Sequence, residues 1–174
     1  MPTAKRPATG FCKKPERLGA AGFALYIGHM FGDFIRRLTA TDPAPLPEAD
    51  ARLAMTALLV RIARSDHNYA DAEIAQIDRI TTQRYGLSAQ DARRLRQQAE
   101  TLEAEAPDTV RFTRAIKDAV DYDDRRAVIE ALWQVALADG SRADEENALM
   151  RLAANLLGVS DRDSAIARQR AGRA

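Results

Sequence analysis

The chain of 174 residues is 46% hydrophobic and 29% charged, a balance that suits one globular domain with a real core and excludes wholesale disorder. Its 26 basic residues nearly match its 25 acidic ones, so no overall field points to nucleic acid or an anionic surface as the main partner. Cys12 is the only cysteine, which excludes an internal disulfide framework and thiolate-rich zinc sites and fits a reducing cytoplasm.

Residues 1–29 read as a loosely ordered N-terminal extension, punctuated by Pro2, Pro7, Gly10 and Pro15. Lys5, Arg6, Lys13 and Lys14 ahead of residues 18–31 imitate a signal peptide, but Gly28, His29 and the lack of a small-x-small cleavage site oppose that reading. Met30 is the expected natural start, since Phe31, Phe34, Ile35 and Leu38 follow it at helical spacing. With Arg36 and Arg37, this short amphipathic stretch offers a peripheral membrane contact; packing onto the domain is its competing use. No apolar run reaches the roughly 18 residues of an ordinary membrane-spanning helix. Pro43, Pro45 and Pro47 then stiffen a linker, so residues 30–47 lead into a helical domain at residues 48–171.

From Ala49 to Arg64, Leu53, Leu59 and Ile62 mark the inner face of a helix that runs into Asp66. Ile74, Ile77 and Ile80 carry a second helix that stops near Gly86. Ser88, with Asp91 three residues on, caps a third reaching about Ala104. Ala106, Pro107 and Asp108 break the pattern, and Val110, Phe112, Ile116 and Val120 predict a fourth helix. After Asp121 and Asp123 a further helix carries Val128, Leu132 and Val135, and at the next helical position stands Asp139, a carboxylate where the stripe calls for an apolar group. No segment alternates as a strand would.

A shift of 73 residues superposes Leu59 on Leu132, Ile62 on Val135, Asp66 on Asp139, Asn68 on Ser141, Asp71 on Asp144 and Glu73 on Glu146. After one extra residue in the first unit, Gly86-Leu87-Ser88 matches Gly158-Val159-Ser160, where glycine ends one helix and serine caps the next. One helical hairpin cannot bury its own apolar face. The expected fold is therefore all-α, a compact bundle of about seven to eight helices built from two pseudo-repeated helix-loop-helix halves.

The acids shared by both units are the candidate site. Ser141 with Asp144, and Asn68 with Asp71, have the spacing of helix-capping pairs. Asp139 stands at a helix C-terminus, where the macrodipole disfavours an anion, and Glu146 lies beside the apolar face of Leu149, Met150 and Ala153. Asp66 and Glu73 repeat the arrangement. Two half-buried carboxylates require an offset: helix N–H groups, an arginine, a shared proton or a cation. Arg61, Arg64, Arg125, Arg126 and Arg142 are near in sequence, so one reading has Asp139 capping the next helix and Glu146 paired with Arg142. The other has Asp139, Glu146, Asp144, Asp66 and Glu73 contributing to a divalent-cation site. All-oxygen ligands favour calcium, magnesium or manganese, whereas His67 would invite zinc. The spacing is not that of an EF-hand.

Ala138-Asp139-Gly140, followed by Glu146, Leu149, Leu152, Ala153, Leu156, Leu157, Gly158, Val159 and Ser160, resembles the TerB-like tellurite-resistance family. The resemblance spans about residues 30–171. A similar domain occurs in the N-terminal region of DjlA-type co-chaperones, although the J-domain signature His-Pro-Asp is absent here. It implies a helical domain with two related halves, acidic residues proposed to bind divalent metal, and a place in a tellurite or stress response. Carried over by position, those residues are Asp139 and Glu146, with Asp144 a weaker member. The first unit departs from the family pattern, because Ser65-Asp66-His67 replaces Ala-Asp-Gly.

An enzyme would need a nucleophile or an acid–base pair in a cleft, yet Cys12 lies in the extension and neither histidine has a triad-like setting. The expectation is a non-catalytic cytoplasmic module that binds a cation, a protein partner, or both. A purely structural interaction domain without metal is the alternative.

Overall fold

The computed structural model describes residues 48–105, 109–140 and 144–173, in which seven helices follow one another without a strand. The N-terminal extension, the stretch from Phe31 to Leu38, the linker, the start at Met30 and the roles given to Ser141 and Arg142 lie outside the described residues.

Helix α1 (Glu48–Ala63) is the axis of the molecule. From Ala54 to Ala63 every side chain but that of Arg61 is buried, and Met55, Leu58, Leu59, Val60 and Ile62 are essentially inaccessible. Here the structure departs from expectation. Leu53, Leu59 and Ile62 do not define one inner face, because apolar residues surround the helix and all sides are covered. A helix apolar all round has to be interior. Its neighbours are α2 (Asp71–Tyr85), α3 (Ala89–Glu105), α4 (Thr109–Ala119), α5 (Tyr122–Ala136) and α6 (Asp144–Leu157).

The other elements arrange themselves around this centre. Helices α2 and α3 pack on α1 and on each other; α6 and α7 (Asp161–Ala171) pack on α5 and on each other. α1 meets α5, α2 meets α5, and α1 meets α6, while α4 fills the space between α1 and α6. Val128, Ile129, Leu132 and Val135 of α5 are buried, as the stripe predicts. Val110 of α4 is not; two residues from the buried Phe112, it falls on the opposite flank and is 54% exposed.

Helix ends follow local chemistry. Gly86 and Gly158 take left-handed conformations (φ +63° and +70°), and Leu87 and Val159 donate back to the carbonyls of Thr82 and Ala154 at 3.2 and 2.8 Å. The Oγ atoms of Ser88 and Ser160 then accept from the N–H groups of Asp91 and Asp163, each at 3.1 Å, and cap α3 and α7. Asp121 caps α5 through the N–H of Asp124. α5 ends at Ala136, three residues before the expected Asp139, which stands in the turn that follows.

Several buried polar groups are partnered within the bundle. Buried Thr56, Thr81 and Thr113 donate to the carbonyls of Arg52, Ile77 and Thr109, four residues back on their own helices. Glu103 of α3, 7% exposed, accepts from Arg61 and Arg64 at 3.0 Å each, and Arg61 Nε also donates to Thr109 Oγ1 at 2.7 Å. This cluster ties the end of α1 to α3 and α4, with charge-assisted bonds that half-burial strengthens. Glu103 falls eight and four residues after Leu95 and Ala99, on the buried flank of α3.

All-round burial of α1 has a measurable consequence. Leu58 and Val60 lie on nearly opposite sides of the helix. Leu58→Ala is expected to cost about 3 kcal/mol and Val60→Ala about 2 kcal/mol in urea unfolding. A one-sided α1 would make one of the two nearly neutral.

Candidate functional site

The turns after α1 and α5 approach the first turns of α2 and α6, and there the inward acids collect. Glu73 is the third residue of α2 and Glu146 the third of α6; they are 2% and 4% exposed. Oε2 of Glu73 accepts the N–H of Ala70 at 2.9 Å, the returning bond of a capping box. This corrects the Asn68–Asp71 pairing. Ala70 is the N-cap residue, Asp71 is exposed at the start of α2, and Asn68 donates its backbone N–H to Asp66 Oδ1 at 2.8 Å.

The environment of Glu73 shows that the two hairpins share one acidic junction. Burial pushes its carboxyl up to about 7, with the Ala70 N–H working in the opposite direction; the negative charges of Asp139, Glu146 and Asp66 raise it further. Asp66 belongs to its own hairpin, Asp139 and Glu146 to the other. Four of the five candidate residues therefore bear on one another. The fifth, Asp144, is exposed at the start of α6 beside Asn147 and Arg151.

Burial separates these acids by role. Asp66 and Asp139 are half-buried in the two turns, where solvent still reaches them. The glutamates, each at the third position of its helix, are more enclosed. Among the described residues, no three of His, Cys, Asp and Glu are grouped as ligands of one metal ion would be. The donor chemistry suits a hard cation, while the spacing as it stands does not gather it.

Four of the arginines near the junction in sequence have partners elsewhere. Arg61 and Arg64 are committed to Glu103, Arg125 donates to the Leu157 carbonyl at 2.9 Å, and Arg126 pairs with Asp123 at 3.2 Å. Arg96 binds Asp78 and Glu100, and Glu100 in turn accepts from Tyr69 Oη at 2.8 Å. Burial and that carboxylate together push the Tyr69 phenol well above its usual range. Tyr69 thus joins the junction loop to a purely structural network.

The two turns resemble each other in backbone more than in sequence. Gly140 has φ +74°, and His67, which stands where the family pattern has glycine, adopts φ +66°. The tight turn survives the loss of glycine at the cost of a strained histidine. His67 itself is exposed.

Comparison with known proteins places this architecture. The sequence matches the family described as tellurite resistance protein TerB over residues 52–169, from the first turns of α1 to the last turn of α7. The chain belongs to the TerB family. The described TerB-family helices are also similar to the crystal structure of a protein of unknown function from Porphyromonas gingivalis W83. That match has a TM-score of 0.53 and 18% identity, and covers 75% of this chain and 96% of the other. At that identity the likeness is one of fold. No curated protein matches the sequence.

Two outcomes follow from this geometry. Glu73 has a folded pKa above its unfolded one, so its contribution to stability is full below about pH 4.5 and is lost as pH rises through about 7. Glu73→Gln, which keeps an oxygen for the Ala70 N–H, is expected to remove that loss. Relative to wild type it should gain on the order of 2 kcal/mol between pH 5 and pH 8 in denaturant titrations. His67→Gly is expected to raise stability by about 0.5–1 kcal/mol by relieving the left-handed strain, read from the same titrations at one pH.

Proposed function

We propose that this TerB-family chain is a non-catalytic binding module whose acidic junction takes up a divalent cation, within a tellurite- or stress-response system. The observation that carries the reading is the burial of the Glu73 and Glu146 carboxyls where the charges of Asp139, Glu146 and Asp66 bear on Glu73. A cation at this position would relieve both the desolvation and the mutual repulsion. Glu146, Asp139, Asp66 and Glu73 are the proposed ligands, and exposed Asp144 is the weakest member. Calcium, magnesium and manganese suit an all-carboxylate set, and zinc suits it less well. In the same reading the α1–α2 and α5–α6 units are duplicated hairpins, each contributing one turn aspartate and one helix glutamate.

Several features support a module without catalysis. His67 is on an exposed turn, and the acids are held by helix caps and turns rather than around a cleft. The family description connects this chain to tellurite resistance. One cysteine and balanced charge support a cytoplasmic protein whose partner is another protein and not nucleic acid. No helix among the described residues is long and apolar enough to cross a membrane.

The alternative is a structural interaction domain, comparable to a co-chaperone's helical module, in which the acids serve as caps and hydrogen-bond acceptors without metal. The Ala70–Glu73 bond favours it.

Calorimetric titration of calcium, magnesium, manganese and zinc into chelator-treated protein decides between these readings. At least one ion is expected to bind wild type and to lose tenfold or more in affinity in both Asp139→Ala and Glu146→Ala. No binding to wild type leaves the metal-free interaction module. Binding unchanged in both variants places the ion elsewhere.

A further inference from the structure

The acidic junction is one pole of the molecule's charge; a second charged surface lies along α4 and α6. Lys117 at the end of α4 stands beside Gly158 at the end of α6, where a Cβ on Gly158 would meet Lys117 Nζ at 3.7 Å. The two helices pack against each other with their C-termini together, so they run in the same direction. Seven residues back along α4 is Val110 and six back along α6 is Leu152, each roughly 10 Å from that contact. They therefore stand at the same height on neighbouring helices.

These two residues are also unusual in their exposure. Val110 is 54% and Leu152 46% exposed, and with Tyr122 they are the exposed large hydrophobic side chains of the described residues. Val110, Arg114 and Lys117 form one line along α4, at spacings of four and three residues. Arg111 flanks this line on α4, and these three cations are exposed; Arg151 of α6 lies on the flank towards α7, beside Asp144. Among the described residues Arg114 and Lys117 enter no ion pair, unlike Arg61, Arg64 and Arg96. Asp118 and Glu145 are exposed at opposite ends of the pair of helices, Asp118 directly after Lys117.

We propose that this α4–α6 face docks on an anionic lipid bilayer. Two exposed aliphatic groups set among cations suit the boundary between headgroups and acyl chains, where long basic side chains lay their stems on apolar surface and keep their charge among phosphates. Attraction to an anionic leaflet accumulates over several cations and falls off within a Debye length. The surface is separate from the acidic junction and does not rest on the cation reading. It also differs from the stretch at Phe31 to Leu38, so the test has to tell the two apart.

Co-sedimentation of the full chain with phosphatidylcholine vesicles, with and without phosphatidylglycerol, provides that test. Wild type is expected to pellet only with the anionic vesicles and to be released by high salt. Arg114→Glu with Lys117→Glu should lower the bound fraction roughly tenfold. Val110→Ser with Leu152→Ser should lower it roughly threefold. Arg36→Glu with Arg37→Glu should leave most of the binding in place. Thermal melts matching wild type show that each variant is folded. The proposal is overturned if wild type stays in solution, which would leave these cations to an acidic protein surface, or if it pellets equally with neutral vesicles. It is overturned too if the Arg114/Lys117 variant binds as wild type does.

Discussion

Everything in this bundle is arranged by the need to cover α1 on all sides. A helix with a single apolar stripe can lie on a surface and leave its other face to water. α1 cannot, because Leu58, Leu59, Val60 and Ile62 follow one another around more than a full turn and all are buried. Five helices are recruited to cover it. The polar residues that α1 carries must then be satisfied from neighbouring elements, and Arg61 and Arg64 meet that requirement through Glu103. Breaking such a half-buried cluster at one partner leaves charges without compensation. Its retention says more about holding α3 and α4 in register with α1 than about net stabilisation.

The same constraint creates the acidic junction. Because α1 and α5 are both buried and in contact, the turns that leave them start from the interior and not from the surface. The first turns of α2 and α6 consequently begin beside the core, with backbone N–H groups that lack helical partners. A glutamate at the third position is a local answer to that need, as the Ala70–Glu73 bond shows. Glu146 holds the third position of α6, is buried as well, and its negative charge bears on Glu73. Glu73 expresses the resulting conflict: its oxygen is useful to the helix, while its charge is penalised by burial and by Asp139, Glu146 and Asp66. A proton or a cation can resolve this without disturbing the cap.

Much of this was legible in the residues. The serines at 88 and 160 and the glycines at 86 and 158 act through a few neighbouring backbone atoms, so their helix boundaries could be read locally. The inward acids were legible for a similar reason, since a carboxylate on an apolar stripe is a visible conflict. Glu103 shows the same conflict and passed unnoticed because the outer face of α3 is so rich in Arg, Gln and Glu that one more charge looks ordinary. The enclosure of α1 was harder to see. Alanines look permissive in sequence, and only contact with five neighbours reveals that Ala54, Ala57 and Ala63 are small because helices press against them. Which arginine meets which acid was out of reach, because Arg61 and Arg64 find Glu103 about forty positions away.

The two turns carry the clearest distinction between the halves. Both place a residue in the left-handed region after an aspartate, yet one uses glycine and the other a histidine. In the first turn Asp66 already accepts the Asn68 N–H, and that bond helps hold His67 in a conformation which side chains avoid. Asp66 is thus occupied in supporting its own turn. The second turn carries no such strain, because Gly140 adopts its conformation freely and a Cβ there would meet nothing within 4 Å. Strain relief and ligand duty therefore compete for one carboxylate in the first turn: any ligand that drew Asp66 away from the Asn68 N–H would leave His67 in its left-handed conformation without that support.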